Sequence, residues 1–340
     1  MVEHLLKSNS TLIVTRTPLR VSFAGGGTDL PAYYEREGGA VLSATIDRFV
    51  YVMLKRHSEL FFEPIRINYS QSEQVERIDE IENNIARECL LFLGVEPPIY
   101  ISTVGDVPAS TGLGGSSAFT VGLLNALHAY KGERVSPGQL AEEASYIEID
   151  VLQEPIGKQD QYAAAFGGLN LFCFNPDGGV TAQQQRLKNG ELKELFRHVM
   201  MFWTGHRGAA GEVLAEQKEN TGRKLDTLRR MRDQAQELHD LLDSGSFDIP
   251  RMGAILDEGW QLKSQLASTI TNNVIDEWYG AALNAGALGG KLCGAGGGGF
   301  LLFVVPLDRQ PAVRRAMQDL TEMVVVPEVH GSRVVIPFNG

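Results

Sequence analysis

Cysteine is scarce in this chain: Cys89, Cys173 and Cys293 are an odd number set far apart. That excludes a disulfide framework and the paired spacing of a zinc site. Long apolar runs are missing too. The run Phe300 to Pro306 is far too short to span a bilayer, and Met1 to Lys7 lacks the apolar core of a signal peptide. A reducing cytoplasm is the default location. Positive charge is in deficit, with 31 Lys and Arg against 42 Asp and Glu, a net charge of −11. Neither nucleic acid nor a membrane surface is then expected as a partner, and an anionic ligand must be held by local dipoles and a few cations. Two phosphate-handling patterns are also absent: the lysine-bearing G-x-x-x-x-G-K-[ST], and the H-R-D and D-F-G set of protein kinases. A literal G-x-G-x-x-G occurs at Gly294, Gly296 and Gly299, but the strand-like run Phe300 to Val305 follows it where a dinucleotide fold needs a helix.

The 340 residues, 43% hydrophobic and 21% charged, suit a globular protein of two domains. Strand and helix signals mix in both halves. Strands are expected at 11–15, 19–24, 41–54, 99–103, 167–174 and 198–203, with helices at 79–93, 119–130, 137–152, 251–268 and 273–286. A strand–helix–strand unit covers 300–336. Leu228, Met231, Ala235, Leu238 and Leu242 trace one face of another helix, read as core. The polar, turn-rich stretch 175–195 holds a hairpin and a boundary, giving two α+β domains, 1–190 and 191–340.

The most informative segment is Pro108 to Ala118, where a strand runs through a glycine-rich turn into a helix start. Glycines let the backbone approach an anion, and unpaired N–H groups at the positive helix end face it. A plain tight turn with a serine cap is the other reading. On the helix 137–152, Glu148 shares its face with Ala141, Ala144 and Leu152. An inward carboxylate is costly unless paired, so it binds Mg²⁺ or an arginine. Asp160, before the run Ala163 to Gly168, is either a base for an acceptor hydroxyl or a helix cap. Lys158 either acts on Asp160 or touches a phosphate, or simply lies in solvent as most lysines do. Arg20, in a period-2 strand, faces opposite to Leu19 and Val21, and Asp29 either binds sugar hydroxyls or caps the following helix. The four glycines Gly296 to Gly299 imply a close approach to backbone.

Together these segments resemble the three signatures of the GHMP small-molecule kinases, over residues 15 to 305. P-x-x-x-G-L-G-S-S-A is matched at Pro108 to Ser117, with Gly115 in place of the first serine, and the third signature at Gly294 to Gly299. The wording Arg16 to Tyr34 is most similar to D-glycero-D-manno-heptose 7-phosphate kinases, with fucokinases close, and Trp203 to Arg207 resembles both. The resemblance implies a ribosomal S5 domain 2-like N-terminal domain, a ferredoxin-like C-terminal domain and an active site between them. Galactokinases have a catalytic Arg nine residues before a sugar-binding Asp, an interval that Arg20 and Asp29 reproduce. They have a magnesium-binding Glu twelve residues before the catalytic Asp, as Glu148 and Asp160 do. Where galactokinases carry Glu-His, this chain has Gly26 and Gly27, which argues against galactose.

The resemblance thus implies an ATP- and Mg²⁺-dependent sugar kinase acting on the anomeric hydroxyl of a heptose 7-phosphate, with L-fucokinase or another sugar-1-kinase as the alternative. Asp160, Arg20 and Lys158 are the catalytic candidates. Pro108, Ser110, Thr111, Gly112, Leu113, Gly114, Gly115, Ser116 and Ser117 would cradle the ATP phosphates. Glu148 and Ser116 would hold the metal, Ser117 being the other serine at that point. Gly26, Gly27, Thr28, Asp29, Arg207, Gly296 and Gly297 join Asp160 around the acceptor, and Arg16, Lys158 and Arg207 are the cations available to a 7-phosphate. The expected partner is a small sugar phosphate, and a homodimer is compatible. A kinase-like regulator that binds without transfer is the rival class.

Overall fold

The computed structural model describes residues 12–337 apart from 59, 186, 188–189, 209 and 245–247. Met1 to Lys7, read above for a targeting sequence, and Thr11 at the start of the first expected strand lie outside them.

The first sheet is built on two long strands. β1 (Ile13–Ala24) and β2 (Gly39–Arg56) are antiparallel neighbours. β1 is one continuous strand where two short ones are expected; at Pro18 the ladder with β2 shifts register, from Pro18 opposite Phe49 to Leu19 opposite Ile46, without ending the strand. β2 is rich in β-branched and aromatic residues and long enough to serve two partners. Its second half pairs β5 (Ile99–Gly105), and its first half pairs β6 (Leu169–Phe174). β3 (Ile65–Asn68) adds to β5 in parallel, β4 (Ser72–Val75) to β3, and β7 (Val180–Gln184) to β6 through the hairpin expected near 175.

The second sheet has four strands. β8 (Val199–Trp203), β9 (Gly289–Leu292), β10 (Phe300–Val304) and β11 (Thr321–Glu322) lie in the order β11-β8-β10-β9. Period-2 alternation gives this sheet two apolar faces. Phe300, Leu302 and Val304 join the core of the first sheet. Leu301, Phe303 and Val305 join a second core under the helices Ile249–Lys263 and Asn273–Asn284. The long helix Leu225–Asp243 bridges both: Leu228 and Met231 belong to one core, Ala235, Leu238 and Leu242 to the other. The stripe read as core is core.

The last segment of the chain returns to the first sheet. β12 (Arg333–Pro337) crosses back to pair with β1, and Glu328 exchanges backbone bonds with Thr45 and Gly168. Among the described residues no helix is long and apolar enough to cross a membrane.

Candidate active site

β1 positions the centre of the site. Arg20 is only 5% exposed. Its Nε and Nη2 donate to the two Asp160 oxygens at 2.7 and 2.6 Å, and Nη1 donates to the Gly112 carbonyl at 2.7 Å. Its backbone N–H reaches Leu113 O at 3.1 Å. One residue thus ties the strand to the glycine turn and to the helix Gln159–Phe166, whose first turn carries Asp160. A fork-to-fork pair of this kind fixes the carboxylate plane as well as its position.

The turn itself winds through left-handed conformations at Ser110, Gly112 and Gly114, then opens the helix Gly115–Tyr130. No serine caps it; Gly114 stands at the cap without a side-chain bond. The first-turn N–H groups and the dipole therefore face the cavity. Gly112 is where two parts of the chain touch backbone to backbone. A Cβ there would lie 2.4 Å from Cys293 O, at a φ of +80°. We expect Gly112→Ala to cost about 2 kcal/mol or more, read as a fall in the thermal midpoint together with activity. An unchanged midpoint would show that the two loops can separate freely.

Glu148 sits on a distorted turn. The helix Pro137–Ser145 ends, and Tyr146–Val151 form one wider π turn in which the Leu152 N–H bonds Ile147 O, five residues back, at 2.9 Å. Such insertions re-aim a side chain. The carboxylate is 1% exposed. It accepts from Ser116 Oγ at 3.1 Å and from Gln161 Nε2 at 2.6 Å, and Ser117 bonds it too. Among the described residues it has no cationic partner, so the buried-pair alternative is not what is seen. Burial pushes its pKa up to about 7, against the pull of the Ser117, Gln161 and Ser116 bonds.

Asp29 is also buried. Instead of capping the next helix, where Leu30 stands, it accepts from the Gly27 N–H and Gln159 Nε2, each at 3.0 Å. Burial first, and the nearby Asp160 charge second, raise its pKa.

Arg20, Asp160, Glu148 and Asp29 line one cavity of about 410 Å³, with Gly26, Gly27, Ser110, Thr111, Gly112 and Gly114 to Ser117. Other expected residues are elsewhere. Lys158 donates to Gly178 O at 2.9 Å and lies 3.6 Å from Glu142; residues two apart at a helix start do not face the same way. Thr28 bonds Gly25 O and Ala40 and closes its own turn. Leu113 is core, Pro108 and Arg207 are exposed. Arg16 pairs with Glu328 and stacks on Phe49. Gly294 reaches the cavity, but Gly296 packs on Ile270. Gly297 lines a separate cavity of about 430 Å³ with His206 and Trp278.

Two further lysines belong to the site. Lys263 and Lys291, each 6% exposed, line the main cavity. Lys291 Nζ donates to Ser22 Oγ at 3.1 Å, while Lys263 Nζ donates to Leu292 O at 3.4 Å and to Gly294 O. Burial lowers their pKa values to about 8 and about 7; for Lys263 the Lys291 charge is the next cause. Signals existed. Lys263 continues the apolar face of Leu256 and Trp260, and Ser22 shares the face of Arg20 on β1.

Residues 78–168 match the family model described as GHMP kinases N terminal domain, and 225–321 that described as GHMP kinases C terminal. A D-glycero-alpha-D-manno-heptose 7-phosphate kinase of Campylobacter jejuni subsp. jejuni serotype O:2 is 30% identical over 307 residues, 86% of this chain and 89% of that protein. An L-fucokinase/L-fucose-1-P guanylyltransferase of Bacteroides fragilis is 26% identical over 88% of this chain and 35% of its own length. The crystal structure of a D-glycero-D-manno-heptose 1-phosphate kinase from Bacteriodes thetaiotaomicron has a TM-score of 0.79 at 26% identity, covering 96% of this chain and 100% of that one.

Proposed function

The chain belongs to the GHMP kinases, and from that premise we propose that it phosphorylates the anomeric hydroxyl of D-glycero-D-manno-heptose 7-phosphate, giving the 1,7-bisphosphate. It is a sugar kinase, a phosphotransferase with ATP as donor and an alcohol as acceptor.

The observation that carries the reading is the Arg20–Asp160 pair beside the Glu148–Ser116 contact, in one cavity under a helix start. Phosphoryl transfer asks mainly for positioning and for positive charge around the moving group. In this reading Asp160 takes the proton of the acceptor hydroxyl. Arg20 holds that carboxylate in place and offsets charge on the transferred phosphoryl group. The N–H groups at 114–117 hold the donor phosphates, and Asp29 orients the sugar through its hydroxyls.

The residues present fit a magnesium ion. A buried carboxylate without a cation, facing two serine hydroxyls, is the partial ligand set that Mg²⁺ completes with phosphate oxygens and water. Glu148 with Ser116 or Ser117 would hold it. When bound it supplies charge neutralisation on the donor phosphates.

ADP release across a sugar panel tests the assignment. Heptose 7-phosphate is expected to give a kcat/KM at least about 100-fold above fucose and galactose, equivalent to about 3 kcal/mol of transition-state discrimination. The phosphorus spectrum of the product should show phosphate at both ends. Rapid turnover of fucose, with none of the heptose phosphate, would instead establish the fucokinase reading.

A further inference from the structure

We infer that Lys291 and Lys263, with Ser22, form a subsite for an anionic group at the end of the acceptor remote from its reacting hydroxyl, and that a phosphate monoester is the ligand it takes. The inference rests on the acceptor proposed above and says which residues would read its phosphate.

Both amino groups are buried and line the cavity; the Asp29 charge acts on both, but among the described residues neither makes a direct ion pair with a carboxylate. Buried charge without a counter-charge is costly and is normally paired. Here the open side of both groups is the cavity. Each ammonium has three donors. Lys291 spends one on Ser22, and Lys263 spends its bonds on the Leu292 and Gly294 carbonyls. Two donors on Lys291 and one on Lys263 are left for the oxygens of a ligand. Burial first and the nearby Lys291 charge second depress the Lys263 pKa; a dianion bound at both groups would relieve that repulsion.

Position along β1 decides which anion. Arg20 is bonded to the glycine turn through Gly112 and Leu113, at the nucleotide end. Ser22 is two residues on, on the same face, roughly 7 Å along the strand. From there β1 runs into the turn that carries Gly26, Gly27 and Asp29, the acceptor end. Through Ser22, Lys291 is displaced along β1 from Arg20 toward that turn, while Lys263, bonded to Gly294 O beside Gly112, closes the subsite on the side of the glycine turn. Gln217, 3% exposed and on the same cavity wall, has an Nε2 with no partner, a further donor at this end. On a chain of net charge −11, an anionic acceptor needs such a local pair of cations.

The full chain carries the test. Steady-state kinetics are measured with heptose 7-phosphate and with the unphosphorylated heptose, for wild type, Lys291→Met and Lys291→Arg, with the KM for ATP and the thermal midpoint alongside. The Met variant is expected to lose at least about 30-fold of the preference for the phosphorylated acceptor, as loss of charged hydrogen bonds to one group. The loss should fall on the KM of the sugar phosphate, and Arg should restore part of it. A Met variant that lowers both acceptors equally, or that raises the KM for ATP, overturns the subsite, as does a wild type with no preference for a phosphorylated sugar. Should the Met variant unfold, inorganic phosphate must inhibit the wild type competitively with the acceptor and not with ATP; the reverse pattern rejects the inference. If a different sugar phosphate is the acceptor, the preference persists, the subsite stands and the heptose assignment alone falls.

Discussion

Asp160→Asn is expected to lower kcat by about three orders of magnitude or more, the upper part of the range for a positioned general base. The substitution keeps the shape of the side chain and one acceptor for Arg20, so the loss is chemical. Arg20 keeps its bond to Gly112 O, and the turn that holds the donor phosphates does not lean on the carboxylate. ATP affinity, measured by calorimetry, should therefore change by only a few-fold. The thermal midpoint should fall by a few degrees, since one of the two bonds to the buried Arg20 is lost while Asp160 itself is a quarter exposed. A variant within about tenfold of wild type would remove Asp160 as the base, because a lost interaction of that size is under 1.4 kcal/mol.

Glu148→Gln is the second large effect, and it has a pH signature. Without metal the native carboxyl titrates near 7, whereas the same group in the unfolded chain titrates near 4.5. Between those values the native state binds the extra proton. Stability therefore falls as pH rises through the window, by about 3 kcal/mol in all, and is level above it. The Gln variant carries no such titration. Its metal-free midpoint should lack that decline and exceed the wild-type midpoint at pH 8. Mg²⁺ with nucleotide should raise the wild-type midpoint more at pH 8 than at pH 6, and the variant's by a smaller amount that does not depend on pH in this range. Turnover should fall by about 100-fold or more, for want of a metal-holding carboxylate. Equal pH profiles for the two proteins would mean that Glu148 is not the buried acid described here.

Much of the site was legible because local chemistry forced it. The glycine turn announces a helix start, and period-2 alternation turns Arg20 away from Leu19 and Val21. Glu148 was read on an ordinary helix with Ala141 and Ala144, both of which are buried. The π turn that delivers it was not visible, because a helical insertion leaves no clear spacing mark. Lys158 was misplaced for a similar reason: proximity in sequence to Asp160 says nothing about facing it. The run Gly296 to Gly299 does reflect close backbone approach. What it approaches is Ile270, the loop at 206–208 and, at Gly299, the Thr111 backbone of the glycine turn, none of which a pattern in the run itself could name. Lys263 and Lys291 were passed over because lysines in apolar settings usually reach solvent along their stems.

The pairing of β12 with β1 joins residues more than three hundred positions apart. Until residue 337 has left the ribosome, the nascent chain presents an uncovered strand edge beside Arg16 and Thr17, an invitation to association with other chains. The stretch between Glu328 and Pro337, which closes that edge, is therefore a poor place for a deletion or an inserted loop.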